Sequence, residues 1–257
     1  MELPLLNGSR PSRRARRDTV EGADQGYRGH VTAPVVLVHG WGGSFESTWQ
    51  RSGFTELLKD SGRDVVGIDL LGHGTAPKPH DPDAYADLGG PLLAQLPDTP
   101  VDAVGFSLGA MTLLRIATEH PERFRHLVLA GIGKNVLQGD DGSGERIAAA
   151  VDGNGPDSDT LSNVFAQYAH QPGNDPVALA AIMRRPRTPM TATQLAAATC
   201  PILVVIGDKD FAGPGEPLVE ALPNATLTTL RNVDHFATPE AFGLWDAVLD
   251  FIDSARA

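Results

Sequence analysis

Short runs of valine, isoleucine and leucine alternate along the chain with longer stretches whose apolar positions recur at helical spacing. The runs are PVVLVHG (34–40), DVVGIDL (64–70), VDAVGF (101–106), RHLVLAG (125–131), PILVVIG (201–207) and ATLTTL (225–230). Most are nearly continuous in apolar residues, as in strands buried on both faces, and each is bounded by Gly, Pro or Asp. Helices are predicted at 45–60, 82–96, 108–119, 191–199 and 239–255. The second is the weakest of these, because DLGGPLLAQL carries two glycines and a proline, which break helices. The alternation predicts an α/β fold: a mostly parallel central sheet with helices on both faces.

Between 134 and 190 the pattern changes. This segment is rich in Gly, Asp, Asn and Pro, suggests three short helices and contains no convincing strand. It is too long for an ordinary connection between two core strands, so it is expected to be a small helical cap, or lid, inserted in a core made of 34–133 and 191–257. Residues 1–33 are too polar and glycine-rich to assign beyond a tail or possible edge strands.

Composition narrows the function. At 257 residues, 41% hydrophobic and 21% charged, the chain suits one soluble domain with an insertion. No apolar run approaches the ~18 residues that span a bilayer, and SRRARRDTVEGADQ lacks a secretory apolar segment, so no membrane partner and a cytoplasmic location are expected. A net charge of −11 argues against nucleic acid, whose phosphates require positive surface. The single cysteine, Cys200, excludes an internal disulfide and a multi-cysteine metal site and reads as a packing residue. Neither a metal nor a cofactor is expected.

Candidate chemistry centres on VGFSLGAM, where Ser107 lies between two glycines at a junction of strand and helix. Alone, the pentapeptide would suit a helix N-cap serine. Between a buried strand and a helix, it reads as a nucleophile exposed on a tight turn, with the first amides of the helix aimed towards it. A serine hydroxyl needs a base, and the base needs an acid to orient it. Of eight histidines, His235 in RNVDHFATPE follows the last strand and precedes the final helix, so it is the base candidate. His39 and His73 directly follow strands and are expected to bond their own loops; His30, His80, His120, His126 and His170 are expected on the surface. The acid candidates are Asp208 and Asp210 in IGDKDFAG. The backbone N–H groups of Trp41, in HGWGG, and of Leu108 are the natural donors to an oxyanion. Phe165, Tyr168 and Met183 are candidate pocket residues, equally suited to the core of the cap.

VVLVHGWGGS, VVGIDLLGHG, VGFSLGAM, ATEHPERFRHLVLAG, CPILVVIGDKD and VDHF, in this order, resemble the α/β-hydrolase superfamily over about 34–133 and 191–257. The resemblance implies the α/β-hydrolase fold, Ser107 as nucleophile, His235 as base, and Trp41 and Leu108 as oxyanion donors. It also selects Asp210 as the acid, three residues after the glycine ending its strand. A serine nucleophile argues against the haloalkane dehalogenase and epoxide hydrolase branches, which use aspartate. The expected activity is hydrolysis of a small to medium carboxylic ester through an acyl-enzyme. Thioester or carbon–carbon bond hydrolysis with the same residues, and a non-catalytic small-molecule receptor or carrier, are the alternatives.

Overall fold

The structure, a computed structural model, describes Met1 and residues 33–139 and 141–254; the expectation of a tail or edge strands in 1–33 falls almost wholly outside these. The apolar runs form β1 (Val35–Val38), β2 (Val65–Ile68), β3 (Val101–Phe106), β4 (Phe124–Ala130), β5 (Ile202–Gly207) and β6 (Ala225–Leu230). Among the described residues these make one sheet in the order β2-β1-β3-β4-β5-β6, with every neighbouring pair parallel. β1, β3 and β5 are buried at every position, which is why their sequences show no polar alternation.

Side chains alternate between two cores. Val36, Val38, Ala103, Leu127, Leu129 and Val204 face one side, against α2 (Gly89–Leu93), α3 (Leu108–Glu119), α7 (Ala192–Ala197) and α8 (Glu216–Ala221). Val35, Leu37, Val104, Val128 and Val205 face the other, against α1 (Phe54–Asp60) and α9 (Phe242–Asp253). Full burial of each such aliphatic side chain contributes about 1.5–3 kcal/mol, so the sheet is the rigid base on which the loops sit.

Two predicted helices are broken. The 45–60 stretch is a π-helical turn, Glu46–Gln50, followed by α1, with Gly53 at φ 89° marking the break. The 82–96 stretch reduces to a 3-10 turn, Pro82–Tyr85, and the single turn of α2. The short α8 was not anticipated from the pattern. The β4–β5 connection begins with a 3-10 turn and holds α4 (Ser143–Val151), α5 (Thr160–Ala169) and α6 (Pro176–Arg184) before α7. Local chemistry starts three of its helices. Asp159 accepts from the N–H of Ser162, Asp175 from those of Val177 and Ala178, and Thr191 forms a reciprocal capping box with Gln194.

The chain runs from β1 outward to β2, then returns to the far side of β1 to form β3. That reversal opens a crevice above the carboxyl ends of β1 and β3, where open α/β sheets place their ligands. No helix among the described residues is long and apolar enough to cross a membrane.

Candidate active site

Ser107 ends β3 at this reversal. Its backbone has φ 50° and ψ −111°, a conformation that an L residue keeps only when its surroundings impose it. The flanking glycines are what impose it. A Cβ on Gly105 would lie 2.7 Å from Ala110 Cα, and one on Gly109 would lie 2.5 Å from the His39 carbonyl oxygen. Strand, helix and the end of β1 therefore close on one another with no room for side chains. Ser107 stands at the N-cap of α3, yet its hydroxyl makes no capping bond.

That hydroxyl instead lies 3.0 Å from Nε2 of His235. Nδ1 of His235 lies 2.9 and 3.0 Å from the two carboxyl oxygens of Asp210. A carboxylate only accepts, so Nδ1 carries the imidazole proton and Nε2 is left to accept from Ser107. Asp210 also accepts from the N–H of Ala212 at 2.8 Å. Ser107, Asp210 and His235 follow β3, β5 and β6, so the sheet brings together residues up to 128 positions apart. Asp208 is exposed on the same loop and takes no part in this chain of hydrogen bonds.

The loop after β1 lies against the serine. A Cβ on Gly40 would sit 3.3 Å from Ser107 Cβ and 2.7 Å from the Phe106 ring, so only glycine lets this backbone approach. Among the described residues, the backbone N–H groups of Trp41 and Leu108 donate to no protein acceptor. Beneath the loop, His39 is fully buried: Nε2 accepts from the N–H of Leu70 at 3.1 Å, so Nδ1–H donates to the Gly40 carbonyl at 2.7 Å. The His73 ring lies 4.9 Å from it, and its Nδ1 is 3.2 Å from the Leu71 carbonyl. Burial pushes both histidines down, His73 to about 3 with the charge of His39 adding to the effect, so both stay neutral near pH 7. Burial would raise Asp69, but N–H groups of Phe45 and Thr75 outweigh it and hold this carboxyl below its usual range.

Aromatic rings roof the serine and histidine. Phe211, next to Asp210, has its ring centroid 4.3 Å from that of His235 and is 46% exposed. Phe236 lies 5.5 Å from His235 and stacks on Tyr168 at 5.1 Å. Phe165 meets Trp41 at 5.4 Å, Phe236 at 5.6 Å and Phe211 at 6.1 Å. The structure thus brings two of the three candidate pocket residues, Phe165 and Tyr168, to this ring cluster; all three, with Met183, pack in or against the same apolar core. Phe211 and Phe236 were missed, although each directly follows a candidate acid or base in the sequence. Open cavities of about 640 and 400 Å³ lie beside Asp69 and along the Asp210 loop; Asp210 lines the second, and neither is lined by Ser107 or His235.

Other candidates resolve differently. His126, expected at the surface, is buried: its Nδ1 lies 2.8 Å from Asp102, whose other oxygen accepts from Arg63 at 3.0 Å. Its strand position faces a buried carboxylate on β3, a long-range pairing that a local pattern does not reveal. His80 and His170 are exposed and His120 is half-exposed, while His30 lies outside the described residues. Cys200 is buried, and burial pushes its thiol up to about 11, far from a reactive thiolate. Among the described residues no group of His, Cys, Asp or Glu is arranged to hold a metal ion.

A family model for the alpha/beta hydrolase fold matches residues 33–154. A pimeloyl-[acyl-carrier protein] methyl ester esterase from Neisseria meningitidis is 39% identical over 99 residues, covering 37% of this chain and 35% of the esterase. A 2-hydroxymuconate semialdehyde hydrolase from Pseudomonas is 36% identical over 104 residues, covering 38% of this chain and 36% of that enzyme. The chain thus matches only about a third of these relatives' lengths. The solved enol-lactonase of Burkholderia xenovorans shares the fold at TM-score 0.69 and 21% identity, over 87% of this chain and 93% of that one. By its sheet order and these likenesses, the chain has the α/β-hydrolase fold.

Proposed function

We propose that the protein is a serine hydrolase that cleaves a small to medium carboxylic ester through an acyl-enzyme. One observation carries the reading: the unbroken hydrogen-bonded series Ser107–His235–Asp210 on a strained turn at the reversal of the sheet. Ser107 Oγ attacks the ester carbonyl while His235 Nε2 takes its proton, and Asp210 steadies the resulting imidazolium. The carbonyl oxygen, now negative, accepts from the N–H groups of Trp41 and Leu108; loss of one such donor costs about 2.7–4 kcal/mol of transition-state stabilisation. The imidazolium protonates the leaving alcohol. Water, activated by the same histidine, then releases the acid and frees the serine.

The 134–190 segment is the cap of this site, since its Phe165 and Tyr168 belong to the aromatic roof beside His235. The esterase named among the relatives supports ester chemistry, and the semialdehyde hydrolase supports carbon–carbon cleavage as the second reading. A screen of esters, thioesters and ring-cleavage diketones separates them. A fluorophosphonate probe tests the shared first step: it should label wild type and not Ser107→Ala, whose turnover should fall at least ~10³-fold with an unchanged circular-dichroism spectrum. Retention of most activity by Ser107→Ala would refute the reading.

A further inference from the structure

The loop after β1 is gripped from above by the β4–β5 connection. Asn174, between α5 and α6, donates both amide hydrogens, one to the Gly42 carbonyl at 2.8 Å and one to the Tyr168 carbonyl at 2.9 Å. Five residues on, the Leu179 carbonyl accepts from the buried indole N–H of Trp41 at 3.1 Å. The Phe165 ring stands edge-on to Trp41, and Gly42, at φ 74°, runs close under Tyr168.

These bonds control the direction of one N–H group. The peptide plane between Gly42 and Gly43 is held at its carbonyl by Asn174 and at its N–H by the Gly40 carbonyl, 3.1 Å away. The Gly40 carbonyl also accepts from His39 at 2.7 Å. It shares a planar trans peptide with the Trp41 N–H, so anchoring the carbonyl aims the N–H the opposite way. Donors converging on a peptide carbonyl also polarise the N–H of the same unit.

We propose that Asn174 is a positioning residue of the oxyanion site, with the Trp41 indole as its second clamp, so that the β4–β5 connection must be seated for the Trp41 N–H to be correctly aimed. The inference rests on the reading of that N–H as an oxyanion donor. It makes Asn174 and the Leu179 carbonyl supports of that donor, while the rest of the connection serves as a cover. A substrate that lifts α5 and α6 would weaken its own activation, and one that seats them would strengthen it.

The test is steady-state kinetics per titrated serine, with active sites counted by a fluorophosphonate. Asn174→Ala should lower kcat about 10- to 100-fold, a part of the loss expected from removing a donor outright, with KM changed less than about 2-fold. Asn174→Asp, which turns an acceptor towards two carbonyls, should lose at least as much. Trp41→Phe keeps the ring and the backbone N–H and should shift kcat the same way by less. Affinity for phenylboronic acid, whose serine adduct is tetrahedral and anionic, should fall in parallel with kcat. Asn163→Ala, which removes bonds from Asn163 to the Pro156 and Asp157 carbonyls on the same connection, should leave kcat unchanged. Unchanged kcat and boronate affinity in both Asn174→Ala and Trp41→Phe would overturn the inference, as would a loss confined to melting temperature or titratable fraction. Should Asn174→Ala not fold, Trp41→Phe decides by the same two readouts. Full activity in Ser107→Ala would instead mark failure of the site reading beneath it.

Discussion

Among the described residues, two buried histidines lie within 3 Å of a buried carboxylate, at opposite ends of the sheet. At the carboxyl ends, His235 and Asp210 meet at 2.9 Å; near the amino ends, His126 and Asp102, register partners on β4 and β3, meet at 2.8 Å. Burial is alike, with side-chain exposures of 5% and 0% for the first pair and 7% and 0% for the second. The remaining atoms differ. His235 turns its second nitrogen to a serine on a strained turn, beside two amides that find no acceptor among the described residues. His126 turns the edge of its ring to Phe251, and the spare oxygen of Asp102 is taken by Arg63, which also bonds the Ile252 carbonyl and Asp253 at the end of α9. The same pair thus adjoins a serine hydroxyl in one place and a buried arginine in the other; under the proposed function the first moves protons and the second is a staple. What the second nitrogen faces decides between them.

The largest expected effect separates the pairs by turnover. Asp210→Asn disturbs the tautomer of His235 and should lower kcat by up to ~10⁴-fold, while Asp102→Asn should leave kcat per titrated serine unchanged. Equal losses in the two variants would show that the pairs are not functionally distinct. Stability should divide them the other way. Arg63→Ala strands the Asp102 carboxylate in the core and should cost about 3–5 kcal/mol in urea unfolding, and replacing both partners, Arg63→Met with Asp102→Leu, should recover much of that. A cost under about 1 kcal/mol for Arg63→Ala, the level of an exposed pair, would reduce the staple to an incidental contact.

His73 extends the comparison to a buried histidine that, among the described residues, has no carboxylate hydrogen-bonded to it and whose buried Nε2 finds no hydrogen-bond partner. Burial lowers its folded pKa to about 3, below the ordinary histidine value of 6.5, so between these values the unfolded chain binds the extra proton. Stability is fully present above pH 6.5 and falls by up to about 1.4 kcal/mol per pH unit as pH drops towards 3. The measurement is urea unfolding at pH 7 and 4.5, where His73→Gln should lose less stability than wild type between the two, by on the order of 2–3 kcal/mol. Identical pH slopes would mean that His73 takes up its proton in the folded state.

Legibility in the sequence followed the range of the interactions involved. Strands 101–106 and 225–230 and helix 108–119 were read to the residue, because continuous apolar runs and the glycine-flanked serine are local signals. The residues of the candidate site were nameable for the same reason: each follows a recognisable strand. The predicted helix 45–60 failed at Gly53, whose left-handed φ is a property of the fold rather than of its neighbours. His126 was misplaced because its burial depends on Asp102 and Arg63, 24 and 63 residues away in sequence respectively from His126 (126 − 102 and 126 − 63). Asn174 was unremarkable in a polar stretch; only the folded connection brings it to Gly42, 132 residues away.

The smallest effect concerns the aromatic rings around His235. Phe211 lies 4.3 Å from the His235 ring and 6.1 and 6.2 Å from those of Phe165 and Phe236, and these rings are expected to limit the length of acyl chain the site accepts. Each methylene that finds apolar cover contributes about 0.8 kcal/mol, roughly a 4-fold rise in kcat/KM per carbon, until the chain meets the roof. For wild type the p-nitrophenyl ester series from acetate to palmitate should therefore peak at about four to eight carbons, an estimate resting on that increment. Phe211→Ala removes the ring while leaving Ser107, His235 and Asp210 in place. The ratio of kcat/KM for dodecanoate to that for hexanoate should then rise at least about 4-fold, one methylene's worth of new cover, with little change for acetate. The longer esters must be kept below the concentrations at which they aggregate. A wild-type maximum at twelve carbons or more would show that the chain escapes past the rings, and an unchanged ratio in Phe211→Ala would show that Phe211 shields the imidazole without setting the acyl limit.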